Sequence, residues 1–232
     1  FGFYRNAFYN ATEGNQHIEG ANLRWTPRPG IEVHSFWSQS DIYDDEFGLI
    51  YVPAGAFLPP DPPRRRFFGP GRPKYRSTAR LFGTTADASF GAGWRVQGGL
   101  FYSEFDDQST ATNLLLGLQP DSTGRQTVLL DPPTKLASTS GELRVSKSFR
   151  EGPRLHIVHA NARARHRPDR FGGFARFDLG PVQIGQPIAP LEGPFEFSQQ
   201  TNNVIDQWTA GLAYEGRWAG IGERSFGVQK TD

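Results

Sequence analysis

Side-chain character alternates with a period of two, most clearly in residues 141–166, and this alternation constrains the fold of the chain more than any other feature. Because a strand places successive side chains on opposite faces, such alternation predicts β-structure. In the second half of the segment, one apolar and one polar series interleave: Val158, Ala160, Ala162 and Ala164 with His159, Asn161, Arg163 and Arg165. Gly152 and Pro153 separate the two halves and predict a turn. The segment therefore predicts a β-hairpin whose second face is polar along most of its length.

The same pattern recurs along the chain and predicts about nine strands. They cover residues 1–10, 18–26, 31–41 and 75–90, a strand from residue 94, and residues 138–149, 155–165, 207–217 and 223–232. Short turns near Pro27, Gly91, Arg150 and Ala219 alternate with long segments at residues 43–74, 106–136 and 167–203. All 18 prolines are expected in turns or loops, because proline has no N–H for a strand ladder. The prediction is an all-β, antiparallel up-and-down sheet with short turns on one rim and long loops on the other.

Composition separates the possible all-β architectures. Mean hydropathy is -0.53, and no apolar run approaches the ~20 residues of a membrane-spanning helix. A transmembrane β-barrel remains compatible with this composition, because half of each of its strands is polar. Aromatic residues make up 13% of the chain and fall near predicted strand ends, as in the interfacial rows of such barrels. The pattern therefore favours a transmembrane β-barrel segment over a soluble sandwich or propeller.

The sequence carries no sign of enzymatic chemistry. Cysteine is absent, which excludes disulfides, thiolate metal sites and a cysteine nucleophile, and a net charge of +1 does not favour nucleic acid as a partner. His156 and His159 are three residues apart, which on a strand puts them on opposite faces rather than on one metal. The acidic run Asp44-Asp45-Glu46 lacks the spacing of a calcium loop. We therefore expect no catalytic residues, no cofactor and no metal site.

Three segments carry a family resemblance: LRWTPRPG at residues 23–30, KYRSTARL at residues 74–81 and SGELRVS at residues 140–146. They resemble the β-barrel of TonB-dependent outer-membrane receptors, most closely the siderophore-receptor branch, and the hairpin pattern extends the resemblance over residues 1–232. The resemblance implies that the whole chain is part of one barrel domain of roughly 22 strands. A plug domain and an energy-coupling box would precede the barrel, outside this sequence. Because Phe1 lies inside a strand pattern, we expect the chain to be an internal fragment of such a receptor.

The resemblance also implies a function and a location. It implies TonB-dependent uptake of a ferric siderophore or similar large chelate across the outer membrane of a Gram-negative bacterium, with no chemistry on the substrate. Expected partners are the siderophore-type ligand, outer-membrane lipid and lipopolysaccharide, and the TonB complex through the missing N-terminal part. Two other interpretations stay open: a passive outer-membrane porin, and a soluble all-β module that binds a ligand or acts on carbohydrate.

The loop of residues 43–74 is the predicted ligand contact. Its many prolines limit its freedom, which lowers the entropy lost when it closes on a ligand. It combines aromatic residues that can stack on a chelate with cations that suit an anionic complex: Tyr51, Phe57, Phe67 and Phe68 with Arg64, Arg65, Arg66, Arg72 and Lys74. The competing interpretation of Arg64–Arg66 is a solvated loop or a contact with lipopolysaccharide phosphate. Charged and amide residues on the polar strand face are interpreted as a wetted wall that contacts the plug: Asp87, Arg95, Gln97, Arg163, Arg165, Glu215 and Arg217.

Overall fold

A computed structural model describes residues 1–7, 12–44, 48–59, 61, 64–66, 75–186, 188, 191 and 194–232. Twelve strands account for most of them: β1 (Gly2–Ala7), β2 (Glu13–Arg28), β3 (Ile31–Asp44), β4 (Gly48–Pro53), β5 (Tyr75–Phe90), β6 (Trp94–Leu118), β7 (Thr123–Asp131), β8 (Thr134–Glu151), β9 (Arg154–Phe171), β10 (Ala175–Gln183), β11 (Thr201–Trp218) and β12 (Gly222–Thr231). A single 3-10 turn, Gly91–Gly93, lies between β5 and β6. Within the described ranges, no helix has the length and apolar character needed to cross a membrane.

Nine of these strands form one continuous antiparallel sheet in the order β1-β2-β3-β5-β6-β8-β9-β11-β12. Each strand pairs with the next strand of this order, which confirms the predicted up-and-down organisation and the number of about nine. The sheet is not closed, since β1 and β12 are its two edges. β2 begins at Glu13 rather than at the predicted Ile18, because residues 13–17 also pair with β1.

The register places the two predicted series on two faces of this sheet. Ala164, Ala162 and Ala160 on β9 face Trp208, Ala210 and Leu212 on β11, residue for residue. Directly paired residues lie on the same face, so these side chains form one surface, here called the apolar face. Their sequence neighbours form the opposite surface, the polar face. The predicted assignment of faces is therefore confirmed on these strands.

Short turns join the strands at one rim of the sheet, where the alternation predicted them. Gly30 lies between β2 and β3 with a φ of 84°, a conformation that favours glycine. Gly93 has a φ of 79°, and a Cβ there would lie 2.2 Å from the carbonyl oxygen of Ser148. Glycine is thus required at Gly93 by both its backbone angle and its close contact with β8. The turns after β8 and β11 lie on this same rim.

The connections on the opposite rim contain strands, which corrects the prediction of three structureless loops. β6 continues past the predicted loop start to Leu118, and β9 continues to Phe171. The extra length of β6 pairs with β4 and β7, and β7 pairs with β10, which gives a second sheet in the order β4-β6-β7-β10, here called the rim sheet. β4 runs parallel to β6 and departs from the antiparallel rule of the main sheet.

The rim sheet holds the buried apolar core of the described chain. Val128, Leu130 and Ala175 form its centre, with the Phe177 and Phe195 rings packed edge to face at 5.3 Å. By contrast, the nine-strand sheet is a single layer, and none of the described elements packs against its apolar face. Leu212, in the middle of that face, is 60% exposed.

Four prolines lie inside strands, which corrects the expectation that all 18 fall in turns or loops. Pro53 is the last residue of β4, and Pro181 lies in β10, which pairs on one side only. Pro168 lies in β9, where the pairing with β8 is interrupted between His166 and Asp169. Pro27 is the penultimate residue of β2, at a register shift against β3. In each case the missing N–H coincides with an edge, an end or a break in the ladder.

Candidate functional site

Two rows of aromatic side chains border the apolar face. Towards the rim sheet, Trp37, Phe82 and Tyr102 are direct partners on β3, β5 and β6, and the Phe82 and Tyr102 rings stack at 4.8 Å. Towards the short turns, Phe90 pairs with Trp94. Between the rows lie small and aliphatic residues, including Leu100, Leu143 and Ala162. The apolar face is therefore a band with an aromatic border on each side.

In its half near the short turns, the polar face carries ion pairs between neighbouring side chains. The Asp87 carboxylate accepts from Arg95, with Nη2 and Oδ2 2.7 Å apart, and from Gln97 Nε2 at 2.8 Å. Arg24 Nη2 lies 2.5 Å from Glu32 Oε2. Both arginines thus have a carboxylate neighbour, which offsets their charge. That this wall is wetted and contacts a plug stays a prediction.

The half of the polar face nearer the rim sheet has a cavity of about 430 Å³. Two arginines from β9 line it: Arg165 donates from Nε to Ser138 Oγ at 3.1 Å, and Arg167 Nε lies 2.7 Å from Asp169 Oδ2. Apolar side chains of neighbouring strands complete the lining, among them Leu81, Phe105 and Leu136. The lining also includes Arg80, Glu104 and Asp169, and both of these carboxylates are paired with arginines, so Arg165 is the lining cation without a carboxylate partner among the described residues.

The predicted ligand loop is only partly described. Tyr51 lies in β4 as the register partner of Leu115 and borders a small cavity of about 20 Å³ with Gln126 and Val182. Phe57 is half-buried in the bend that follows β4, where its N–H donates to the Gly55 carbonyl oxygen at 2.9 Å. Tyr51 thus lies in the rim sheet, and Phe57 lies in the bend that follows β4.

The arginine run of the same loop lies in an exposed turn. Arg64, Arg65 and Arg66 are all solvent-exposed, and Arg65 has a φ of 61° in the left-handed region. Four further predicted residues lie outside the described residues: Phe67, Phe68, Arg72 and Lys74. The proposed ligand contact of this loop stays a prediction.

Sequence reasoning did not identify the buried polar centre of the rim sheet. Asn113 on β6 and Gln126 on β7 are almost fully buried, and Gln126 Nε2 donates to Asn113 Oδ1 at 2.7 Å. The available signal was the run TVLL at residues 127–130, which has strong β propensity and follows the turn residues 120–124. A hairpin there would have placed Gln126 inside the rim sheet.

The histidines at positions 156 and 159 lie on opposite faces, as predicted from their spacing. His156 stacks on Phe149 with 4.9 Å between ring centroids, on the apolar face. His159 bonds Ser146 Oγ through Nδ1 at 2.7 Å and lies 3.2 Å from Glu215 on the polar face. Across the described residues, no group of three metal-ligating side chains is close enough to hold an ion.

Two carboxylates of the rim sheet have shifted acidities. Hydrogen bonds from the Arg125 guanidinium, and next from the Gly180 N–H, hold the pKa of Asp178 below its ordinary value of 3.8. Asp121 precedes β7 and accepts from the Thr123 hydroxyl and N–H, which likewise lowers its pKa. The first interaction joins β7 to β10, and the second closes the turn between β6 and β7.

Comparison with known proteins gives a structural likeness only. No family model and no curated protein sequence matches the chain. The open form of the ferric-catecholate import receptor Fiu of E. coli K12 superposes with a TM-score of 0.67 at 11% identity, over 97% of this chain and 38% of Fiu. The ferripyoverdine receptor of Pseudomonas aeruginosa, bound to ferripyoverdine, gives 0.65 at 12% identity, over 99% of this chain and 32% of the receptor.

A third neighbour is BauA, the ferric preacinetobactin receptor of Acinetobacter baumannii. It superposes with a TM-score of 0.58 at 12% identity, over 95% of this chain and 37% of BauA. All three neighbours are receptors for iron complexes, and this chain spans less than two fifths of the length of each. At such identities the likeness establishes the fold alone: the chain folds like a part of the siderophore receptors.

Proposed function

We propose that this chain is part of the wall of an outer-membrane β-barrel that takes up a ferric siderophore or similar large chelate by TonB-dependent transport. The observation that carries the proposal is a nine-strand sheet whose apolar, aromatic-bordered face is exposed and whose opposite face carries paired charges near the short turns. A soluble sandwich would bury its apolar face against a second layer. The likeness to receptors for iron complexes supports the choice of substrate class.

The dimensions of the apolar band suit a bilayer. Trp94 and Tyr102 border the band on β6 and are eight residues apart. At about 3.4 Å per residue this distance is about 27 Å along the strand, or about 20 Å across the membrane at a tilt near 40°. Outer-membrane barrels present an apolar band of about 25 Å between aromatic girdles. In this arrangement the polar face lines the barrel interior and the rim sheet lies outside the cell.

The loop of residues 43–74 is our proposed ligand contact, through Tyr51, Phe57 and the exposed Arg64, Arg65 and Arg66, with Phe67, Phe68, Arg72 and Lys74. Changing Arg64, Arg65 and Arg66 together to Glu in the full-length protein tests this contact. We expect weaker chelate binding to cells with matched surface levels, and in the unmodified protein an affinity that falls with salt. Unchanged affinity would restrict the contact to the aromatic residues.

Energised uptake is the test of the function itself. Cells that lack their own ferric-chelate receptors, but produce the full-length protein, are supplied with radioactive iron as catecholate, hydroxamate or mixed chelates. We expect saturable uptake of at least one chelate, abolished by an uncoupler of the inner membrane. A passive porin would instead admit small sugars at a rate that the uncoupler leaves unchanged, with no saturable iron uptake, and that result would contradict the proposal.

A further inference from the structure

β9 presents three arginines in succession on the polar face: Arg163, Arg165 and Arg167. Their sequence neighbours Ala162 and Ala164 lie on the apolar face. Side chains two residues apart on one strand face are about 7 Å apart, so the three guanidinium groups form a stripe directed from the rim sheet towards the middle of the main sheet. We call this set the arginine stripe.

The stripe carries more positive charge than its surroundings neutralise. The Asp169 carboxylate lies 2.7 Å from Arg167 Nε, whereas Arg165 donates to the Ser138 hydroxyl. Glu142 is the register partner of Arg163, but its carboxylate lies 3.5 Å from Arg144 instead. Throughout the described part of the chain, no carboxylate lies within ion-pair distance of Arg163 or Arg165. The stripe therefore differs from the charge-paired half of the polar face near Asp87 and Glu32.

An apolar wall lies beside Arg165, which has no carboxylate partner among the described residues, and beside Arg167, which is paired with Asp169. The cavity of about 430 Å³ is lined by Arg165 and Arg167 together with Leu81, Phe105 and Leu136. A volume in this range suits a small organic ligand. Guanidinium groups bind carboxylates and phosphates through two parallel hydrogen bonds, while apolar side chains stabilise a ring or alkyl group. The two kinds of wall favour a ligand with both features.

We propose that this cavity is a binding site for an anionic group joined to an aromatic or aliphatic part, with the anion on Arg165 and Arg167. Phe105 and Leu136 contact the apolar part, and Arg163 supplies the next positive charge along the same strand. The site rests on the proposed function, since a barrel places the polar face on the ligand path. It deepens that function by assigning a charge class to the ligand and a place on the wall, apart from the loop of residues 43–74.

The test uses 5-fluorosalicylate, an aromatic carboxylate, and its neutral amide as probes of the full-length protein in detergent, with binding measured by fluorine NMR. Arg165→Gln and Arg167→Gln should each weaken binding of the carboxylate by roughly tenfold, the value of one lost charge-assisted hydrogen bond. Arg170→Gln is the matched control, because Arg170 lies on the same strand but on the opposite face, and it should change the affinity less than about twofold.

A second measurement needs no variant. The affinity of the unmodified protein for the carboxylate should fall as salt rises, whereas the amide should bind weakly at every salt concentration. Equal affinity for carboxylate and amide, or an effect of Arg170→Gln as large as that of Arg165→Gln, would overturn the site. If Arg165→Gln fails to fold, Arg165→Lys replaces it, because lysine keeps the charge at this position. Arg167→Gln then becomes the deciding variant, and unchanged binding of the carboxylate in that variant would overturn the site.

The outcome for this site is separable from the outcome for transport. One outcome is energised iron uptake with carboxylate binding that is unchanged in Arg165→Gln and Arg167→Gln. This result would contradict the site and support the proposed function. Carboxylate binding that depends on both arginines, without energised uptake, would remove the proposed function and leave an anion site on this wall.

Discussion

At single positions, β9 and β11 should tolerate a charge on one face and not on the other. Ala162 and Leu212 lie in the apolar band, which faces lipid in the proposed barrel, so Ala162→Arg or Leu212→Arg should cost about 2–4 kcal/mol near the bilayer midplane. Asn161→Arg and Ala213→Arg are the matched controls, because their side chains lie on the polar face and reach water. The measurement is the free energy of unfolding of the full-length protein in lipid vesicles. Equal losses at both pairs of positions would show that the faces are assigned wrongly.

The alternation of residues predicted these faces because a strand fixes the direction of each side chain locally. Ala160 and Ala162 could therefore be assigned without knowing which strands pair. Pro168 could not be assigned to a strand in this way, because its place in β9 depends on the break in the pairing of β9 with β8. The charge balance of Arg165 also depends on pairing, since Ser138 on β8, rather than a carboxylate, lies beside it. The local sequence pattern thus predicts the direction of each side chain, whereas its contact partners can be assigned only when the register of the paired strands is known.

At the scale of elements, the rim sheet should unfold separately from the nine-strand sheet. Leu130→Ala removes a buried side chain from its core and should cost about 2–5 kcal/mol of local stability. Leu129→Ala is the matched control, since Leu129 lies on the opposite face of β7 and is half-buried, and it should cost about 1 kcal/mol. Hydrogen exchange should accelerate in β7 and β10 and stay unchanged near Trp94 on β6. Acceleration throughout the main sheet would contradict a separate core.

Docking of β10 on β7 should weaken in acid. The pKa of Asp178 is lowered by Arg125, so the ion pair contributes fully above the unfolded value of 3.8 and is lost as pH falls through the lower folded value. Hydrogen exchange of β10, corrected for intrinsic rates, should show constant protection from about pH 7 to about pH 5, with protection lost below the unfolded value. Asp178→Asn should abolish this loss of protection in acid. An equal loss of protection in the variant would show that another group causes the acid dependence.

The elements of the main sheet could be predicted, whereas those of the rim sheet could not. Four pairings of the main sheet, β2–β3, β5–β6, β8–β9 and β11–β12, are joined by short turns with recognisable residues, such as Gly30 and Gly152. β4 pairs in parallel with the far end of β6, more than 60 residues later in the sequence, so no local turn signal accompanies it. β10 is separated from β7 by the whole hairpin of β8 and β9. The three loops could be placed on one rim, but their shared sheet depends on long-range contacts.

At the scale of the whole molecule, the 232-residue chain by itself should not be a soluble monomer. β1 and β12 are open edges, and side chains such as Leu100 and Val228 are 69% and 74% exposed. Open edges and exposed apolar surface promote aggregation in water. Produced without detergent, the chain should sediment as aggregates. A single monomeric species with a cooperative thermal transition in plain buffer would favour a soluble all-β module instead.

Single-cysteine spin labelling along β9 tests the membrane-wall account most directly, and the chain has no cysteine of its own to interfere. Each position from Val158 to Arg165 is changed to Cys in turn in the full-length protein, labelled and reconstituted in vesicles. Oxygen, which concentrates in lipid, and a water-soluble nickel complex then report the surroundings of each label. We predict a period of two, with oxygen contact highest at Val158, Ala160, Ala162 and Ala164 and nickel contact highest at the positions between them. Equal access of the nickel complex to both series would contradict the account.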